Sequence, residues 1–208
     1  MKKYLIFDLD DTLIESDKNL STLIISVLCD KYKLNQDEVL YFLHQNRGVG
    51  LREQIMNFMQ IGEEEAGKIA NEIYDLITKN VQARFFDGIP EKIKELSQTY
   101  KLYLSTGNST AFAEKKLKEA GIYDCFEYVL GSDVHLKGTD HIEIFKDFST
   151  DENFEKDFIF IGDGQKDREI AKTYDAPFIH IDPLLKNEYN DIFEIKSVAQ
   201  IDSCLEQI

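Results

Sequence analysis

The sequence predicts an α/β protein: a parallel sheet with helices on both faces, interrupted after its first strand by a block of four helices. Three observations lead there. The chain opens on "KYLIFDLDDTLIES", an apolar run from Tyr4 to Phe7 that ends in Asp8, Asp10 and Asp11, which is how a buried strand with polar groups beyond its carboxyl end reads. From about Ser16 to Lys79 the periodicity is helical throughout, with no strand pattern between. After "FFDGIP" short apolar runs alternate with amphipathic stretches, as strand-helix-strand units do.

In the helical block the apolar positions fall at three- and four-residue spacing. Leu20, Leu23, Ile24, Val27 and Leu28 mark one helix, then Val39, Phe42 and Leu43, then Leu51, Ile55, Phe58 and Met59, then Ile69, Ile73, Leu76 and Ile77. Beyond it "KLYLS" leads into "TGNSTAFAEKKLKEAG", a strand, a turn and a helix stopped by Gly121. "FEYVLG", "FIFIG" and "APFIHI" are further strands, and "IFEIKSV" is a candidate for one more. The division that follows is a Rossmann-like core of residues 1–15 and 87–208 with a helical cap of residues 16–86 over the sheet's carboxyl edge. Only two short connections join them, near residues 14–17 and 84–88.

Composition narrows the function classes. A chain of 208 residues with 43% hydrophobic and 12% aromatic content is expected to be ordered and globular. A net charge of -15 with no basic stripe argues against nucleic acid, an anionic membrane surface or any polyanion as partner. A small anionic substrate stays compatible if the site provides its own positive charge. Cys29, Cys125 and Cys204 are odd in number and lack a Cys-x-x-Cys pair, which suits core thiols in a reducing compartment. The opening apolar run is too short for a signal-peptide core and "TLIISVLC" is too short to span a bilayer, so a cytoplasmic protein is expected.

Polar residues collect where the strands end. Asp8 and Asp10 follow the first strand, Thr106 follows "KLYLS", Lys137 follows "FEYVLGSDVHL", and Asp163 and Asp167 follow "FIFIG". In parallel sheets ligands bind beyond this edge. Alone, "DLDDT" reads equally well as a solvated turn; in series with Thr106, Lys137 and "GDGQKD" that reading recedes. A calcium loop is a poor match, with Thr12 and Leu13 at the fifth and sixth positions and Asn19 at the twelfth. "GDGQKD" mimics the start of a dinucleotide fingerprint, but Asp167 stands in place of the third glycine. His44, His135, His141 and His180 show no metal-ligand spacing and read as structural or surface residues.

This series of motifs resembles the haloacid dehalogenase-like superfamily, in particular its phosphoglycolate phosphatase-like members with a helical cap, over nearly the whole chain. Asp11 stands where many members have glycine. The resemblance implies a phosphatase that forms an aspartyl-phosphate, with the backbone carbonyl of Asp10 among the Mg²⁺ ligands. The chemistry is consistent with it. A carboxylate such as Asp8 can attack phosphorus and divide a slow hydrolysis into two steps, but its charge opposes a phosphate dianion, so a cation is needed. Mg²⁺ prefers hard oxygens and takes one or two carboxylates, and Asp8 and Asp163 are the expected direct ligands. Asp10, two residues on and facing the same way, is placed to protonate the leaving group and later to activate water.

Thr106 and Lys137 are expected to hold the phosphoryl oxygens, assisted by the amides of Gly107 and Asn108 at a helix start. Lys166 is a rival for the lysine role. Asp167 is expected either to reach the metal through water or to orient Lys137. In the cap, "NRGVGLREQI" resembles the substrate-facing loop of phosphoglycolate phosphatase-like members, with Arg47 or Arg52 as candidate substrate contacts; an exposed arginine on a cap helix is an equal reading of either.

Other classes are weighed on single residues. A β-phosphoglucomutase-like enzyme would carry a histidine ten residues after the second aspartate, where Leu20 stands. A dehalogenase lacks the second aspartate. A receiver-type signalling module gathers similar residues but has neither the helical insert nor a "GDGQKD" motif. The leading expectation is a Mg²⁺-dependent phosphatase for small phosphorylated metabolites, among them phosphoglycolate, sugar phosphates and nucleoside monophosphates.

Overall fold

The structure, a computed structural model, describes residues 2–15, 18–46, 49–183 and 193–208. Strand β1 (Tyr4–Phe7) is buried along its whole length. Four helices follow: α1 (Lys18–Tyr32), α2 (Gln36–Gln45), α3 (Leu51–Met59) and α4 (Glu63–Asn80). The chain then alternates through α5 (Ile89–Leu96), β2 (Lys101–Ser105), α6 (Thr110–Glu119), β3 (Phe126–Leu130), α7 (Thr139–Ser149) and the short α8 (Phe154–Asp157). It ends with β4 (Phe158–Gly162), α9 (Gln165–Thr173), β5 (Phe178–Ile181), β6 (Phe193–Ile195) and α10 (Asp202–Leu205). The last strand is the one "IFEIKSV" suggested. Among the described residues no helix is long and apolar enough to cross a membrane.

The six strands pair in parallel in the order β3-β2-β1-β4-β5-β6. β1 is central, and the chain moves outward from it first on one side and then on the other, so the crossover reverses beside it; ligands favour such a point. The registers bring the strand ends level. Phe7 lies opposite Leu104 on one side and Ile161 on the other, so Asp8, Ser105 and Gly162 emerge together.

Side chains alternate across the sheet, as the two-residue period of a strand requires. Leu5 and Phe7 join Leu102, Leu104, Ile159 and Ile161 on the face covered by α5 and α6. Tyr4 and Ile6 join Tyr103, Phe158 and Phe160 against Ile142 and Phe145 of α7 and Ile170 of α9. Burying each such side chain contributes roughly 1.5–3 kcal/mol. That explains why β1 tolerates no polar residue until its end.

The helical block packs on itself through the stripes read from the sequence: Ile24 and Leu28, Val39, Leu51 and Ile55, and Ile69, Ile73 and Ile77 are all buried. Asn35 caps α2, its side chain accepting from the N–H groups of Asp37 and Glu38 at 2.9 and 3.2 Å. The two connections to the sheet region pair with each other. Glu15 N–H donates to Arg84 O at 2.8 Å and Phe86 N–H to Leu13 O at 3.0 Å, with Ile14 and Phe85 forming an antiparallel bridge.

Candidate active site

Asp8 leaves β1 with its amide still in the ladder, donating to Ile161 O at 2.9 Å. The residue is 4% exposed. Oδ1 receives Lys137 Nζ at 2.6 Å and Oδ2 receives Thr12 Oγ1 at 3.1 Å. Thr12 lies one turn on, and Asp11 between them adopts φ +55°. That left-handed conformation favours glycine and is tolerated by aspartate.

Lys137 is 1% exposed and bridges two carboxylates, with Nζ 2.6 Å from Asp8 Oδ1 and 2.7 Å from Asp167 Oδ1. Burial lowers its proton affinity, but the charges of Asp167 and Asp8 outweigh that and hold the ammonium above the ordinary lysine range. Lys166 points elsewhere, its Nζ 3.6 Å from Glu53 Oε2 on α3. Asp167 is fully buried, and its Oδ2 accepts the Gly164 amide at 3.1 Å. A side chain at Gly162 would begin 2.4 Å from that carboxylate, so only glycine lets Asp167 lie against the end of β4.

Asp8, Asp163 and Asp167 each offer a carboxylate oxygen, all within 4.8 Å of one another. Burial above all, with Asp167's charge adding and Lys137 opposing, raises Asp8 to about 6. Burial and the charges of Asp8 and Asp167 push Asp163 well above the usual carboxylate range. Three crowded carboxylates against one ammonium leave surplus negative charge. That donor set of hard oxygens fits a divalent cation such as Mg²⁺.

Asp10, half-buried, points to the β2–α6 turn. Its Oδ2 accepts from Asn108 Nδ2 at 2.7 Å and from Thr106 Oγ1 at 3.4 Å. Burial and the neighbouring Asp8 raise it to about 7, so the carboxyl holds a proton near neutrality. Thr106 Oγ1 also accepts the Asn108 amide at 3.0 Å. Helix α6 starts at Thr110, two residues beyond Asn108, and its first amides are already taken: Thr110 N–H by Asp133 and Phe112 N–H by Ser109.

The structure therefore brings Asp8, Asp10, Thr106, Asn108, Lys137, Asp163 and Asp167 into one connected cluster, with Gly107 in the adjoining turn. Arg52 is engaged elsewhere, Nη2 donating to Glu63 at 2.9 Å and Nη1 to Val134 O at 3.4 Å. Arg47 and the side chain of His44 lie outside the described residues. Three supporting residues were not singled out in the sequence: Thr12 on Asp8, the Asn108 side chain on Asp10, and Ser132. Ser132 Oγ donates to Thr106 O at 3.1 Å and accepts the Lys137 amide at 3.2 Å. For Thr12 the signal was its place one turn after Asp8; Ser132, in "GSD", carries no local signal of contact with residues so far away.

Over residues 5–181 the sequence matches the family of haloacid dehalogenase-like hydrolases. The chain belongs to that family. No curated protein matches it. Solved structures similar to this haloacid dehalogenase-like hydrolase include a predicted phosphatase from Clostridium acetobutylicum, at 22% identity and TM-score 0.80 with all of both chains covered. CbbY from Rhodobacter sphaeroides, in complex with phosphate, aligns at 15% identity and TM-score 0.71 over 97% of each chain. YfnB from Bacillus subtilis, bound to magnesium in a structure that reveals interdomain movement, aligns at 17% identity and TM-score 0.67 over 99% of each chain. At these identities the likeness establishes a shared fold.

Proposed function

We propose that this hydrolase is a Mg²⁺-dependent phosphatase for small phosphorylated metabolites, working through an aspartyl-phosphate on Asp8. One observation carries the reading: a buried carboxylate, Asp8, faces an ammonium and two further carboxylates, with a second carboxyl group two residues on, Asp10, held by Asn108 and Thr106. The phosphate bound to CbbY and the magnesium bound to YfnB lend support from the same fold.

In this reading Asp8 attacks phosphorus, forming a carboxylate O–P bond as the ester P–O bond breaks. Asp10 gives its proton to the departing oxygen, then takes one from the water that attacks the phospho-aspartate, releasing phosphate and restoring Asp8. Lys137, with Thr106 and the amide of Gly107, holds the phosphoryl oxygens, while the Asn108 amide that the sequence also suggested for this is engaged with Thr106 Oγ1. Asp8, Asp163 and the Asp10 backbone carbonyl would hold Mg²⁺, which when bound neutralises charge between Asp8 and the incoming phosphate. Asp167, with one oxygen on Lys137 and the other on the Gly164 amide, orients the ammonium. Arg52's bonds to Glu63 and Val134 favour a part in seating the cap.

Residues 16–86 form the cap over a core of residues 1–15 and 87–208, restricting access to small esters. Phosphoglycolate, sugar phosphates and nucleoside monophosphates are the candidates. The deciding experiment is a panel of phosphorylated metabolites, phosphopeptides and DNA assayed with Mg²⁺. Hydrolysis of a small ester is expected to rank first; a macromolecular phosphate ranking first would overturn the reading.

A further inference from the structure

Tyr74, midway along α4, is 3% exposed, and its hydroxyl donates to the backbone carbonyl of Gly107 at 2.8 Å. One buried hydroxyl thus joins cap helix α4 to the turn that carries Thr106 and Asn108. The carbonyl it holds belongs to the peptide whose N–H is that of Asn108. A peptide is a rigid plane, so holding its oxygen also aims its N–H, which donates to Thr106 Oγ1 at 3.0 Å. Thr106 Oγ1 in turn donates to Asp10 Oδ2. Donors along this chain all point from the cap toward Asp10, an arrangement in which each bond polarises the next.

A second contact lies beside it. A side chain at Gly50, just before α3, would begin 2.7 Å from Ser132 Oγ, and Gly107 approaches Gly50 so closely that its own Cβ would lie 3.4 Å from the Gly50 Cα. The cap backbone therefore seats directly on the two loops that carry Thr106 and Lys137.

We infer that Tyr74 is a positioning residue: when the cap is seated its hydroxyl locks the Gly107–Asn108 peptide, so cap closure itself sets Thr106 and Asn108 against Asp10. The catalytic consequence rests on the phosphatase reading; the ordering of the loop does not.

Amide exchange across residues 105–112 of the full chain tests this, in the wild type, in Tyr74→Phe, and in Lys115→Ala as a control. Lys115 Nζ donates to Thr78 O at 2.6 Å, tying the same two regions together away from the turn. Tyr74→Phe is expected to speed exchange at residues 106–109 about tenfold and to lower kcat about tenfold with KM changed less than about twofold. Lys115→Ala should leave that exchange unchanged. Gly50→Ala, which forces the cap away from Ser132, should reproduce the faster exchange, and it decides the question if Tyr74→Phe folds poorly. Unaltered exchange at 106–109 in a folded Tyr74→Phe, or an equal rise in Lys115→Ala, would overturn the assignment, as would unaltered exchange in Gly50→Ala if Tyr74→Phe does not fold. If the wild type hydrolyses no ester, the phosphatase reading fails while the exchange result still decides the role of Tyr74.

Discussion

Asp8, Asp10 and Asp163 have different neighbours and are expected to respond differently to the same small substitution. Asp8→Asn keeps the volume but removes the proposed nucleophile, and phosphatase activity should fall to background while circular dichroism stays unchanged. Asp10→Asn removes the proposed proton donor and should lower kcat by about 10²–10⁴. Asp163→Asn should weaken the response to added Mg²⁺, measured as the metal concentration giving half-maximal rate. Normal turnover in Asp8→Asn would sink the mechanism. Asp10 also makes a pH prediction. Its carboxyl titrates near 7 in the folded protein, raised by burial and by Asp8, against about 3.9 unfolded. Between those values the folded state holds a proton that the unfolded chain has lost, so stability falls as pH rises through that window. Asp8, raised to about 6, contributes with the same sign. In chelator-treated protein, Asp10→Asn should therefore melt higher than wild type at pH about 8, by on the order of 1–2 kcal/mol because Asp10 is only half-buried, and the gap should close toward pH about 4. A gap that widens on acidification would contradict this.

The two connections between the helical block and the sheet are not independent tethers. Leu13, Ile14 and Glu15 pair with Arg84, Phe85 and Phe86 as a short antiparallel ribbon, and Gly88 at φ +77° turns the chain into α5. Ser16 and Asp17, where the first connection was expected to end, lie outside the described residues. A paired ribbon resists stretching but can bend and twist, which suits rigid-body rotation of the cap. An aspartyl-phosphate enzyme has use for that motion, since it must exclude stray water during attack and then admit one water and release phosphate. With Mg²⁺ and a metal-fluoride mimic of phosphate the molecule is expected to contract in solution scattering. Amide protection should rise at residues 49–52 and 106–109 while Glu15 and Phe86 remain protected throughout. Unchanged dimensions together with unchanged protection would mean the cap is fixed.

For the molecule as a whole, charge and metal dominate. A net charge of -15 repels polyanions, so DNA and phosphoproteins should be poor substrates even for a fully active preparation. Crowding Asp8, Asp163 and Asp167 makes the metal-free site electrostatically costly. Mg²⁺ is therefore expected to raise the melting temperature, and exhaustive chelation to abolish turnover reversibly. Activity that survives chelation would remove Mg²⁺ from the account.

Fold class was legible in the chain because it rests on short-range repetition. The two-residue alternation of "KYLIF", "KLYLS" and "FIFIG" and the three-to-four spacing of the cap helices depend on residues a few positions apart, and burial enforces both. The aspartates at the strand ends were legible for the same reason, since a parallel sheet delivers its strand ends to one edge. Contacts between distant residues were not. That the Asn108 side chain reaches Asp10, that Ser132 holds the Lys137 loop and that Tyr74 reaches across from the cap all depend on strand register and on how the cap seats. Those are settled by the packing of the whole core, where residues such as Asp8 and Lys137, 129 positions apart, meet at hydrogen-bonding distance, and no local pattern encodes such a meeting.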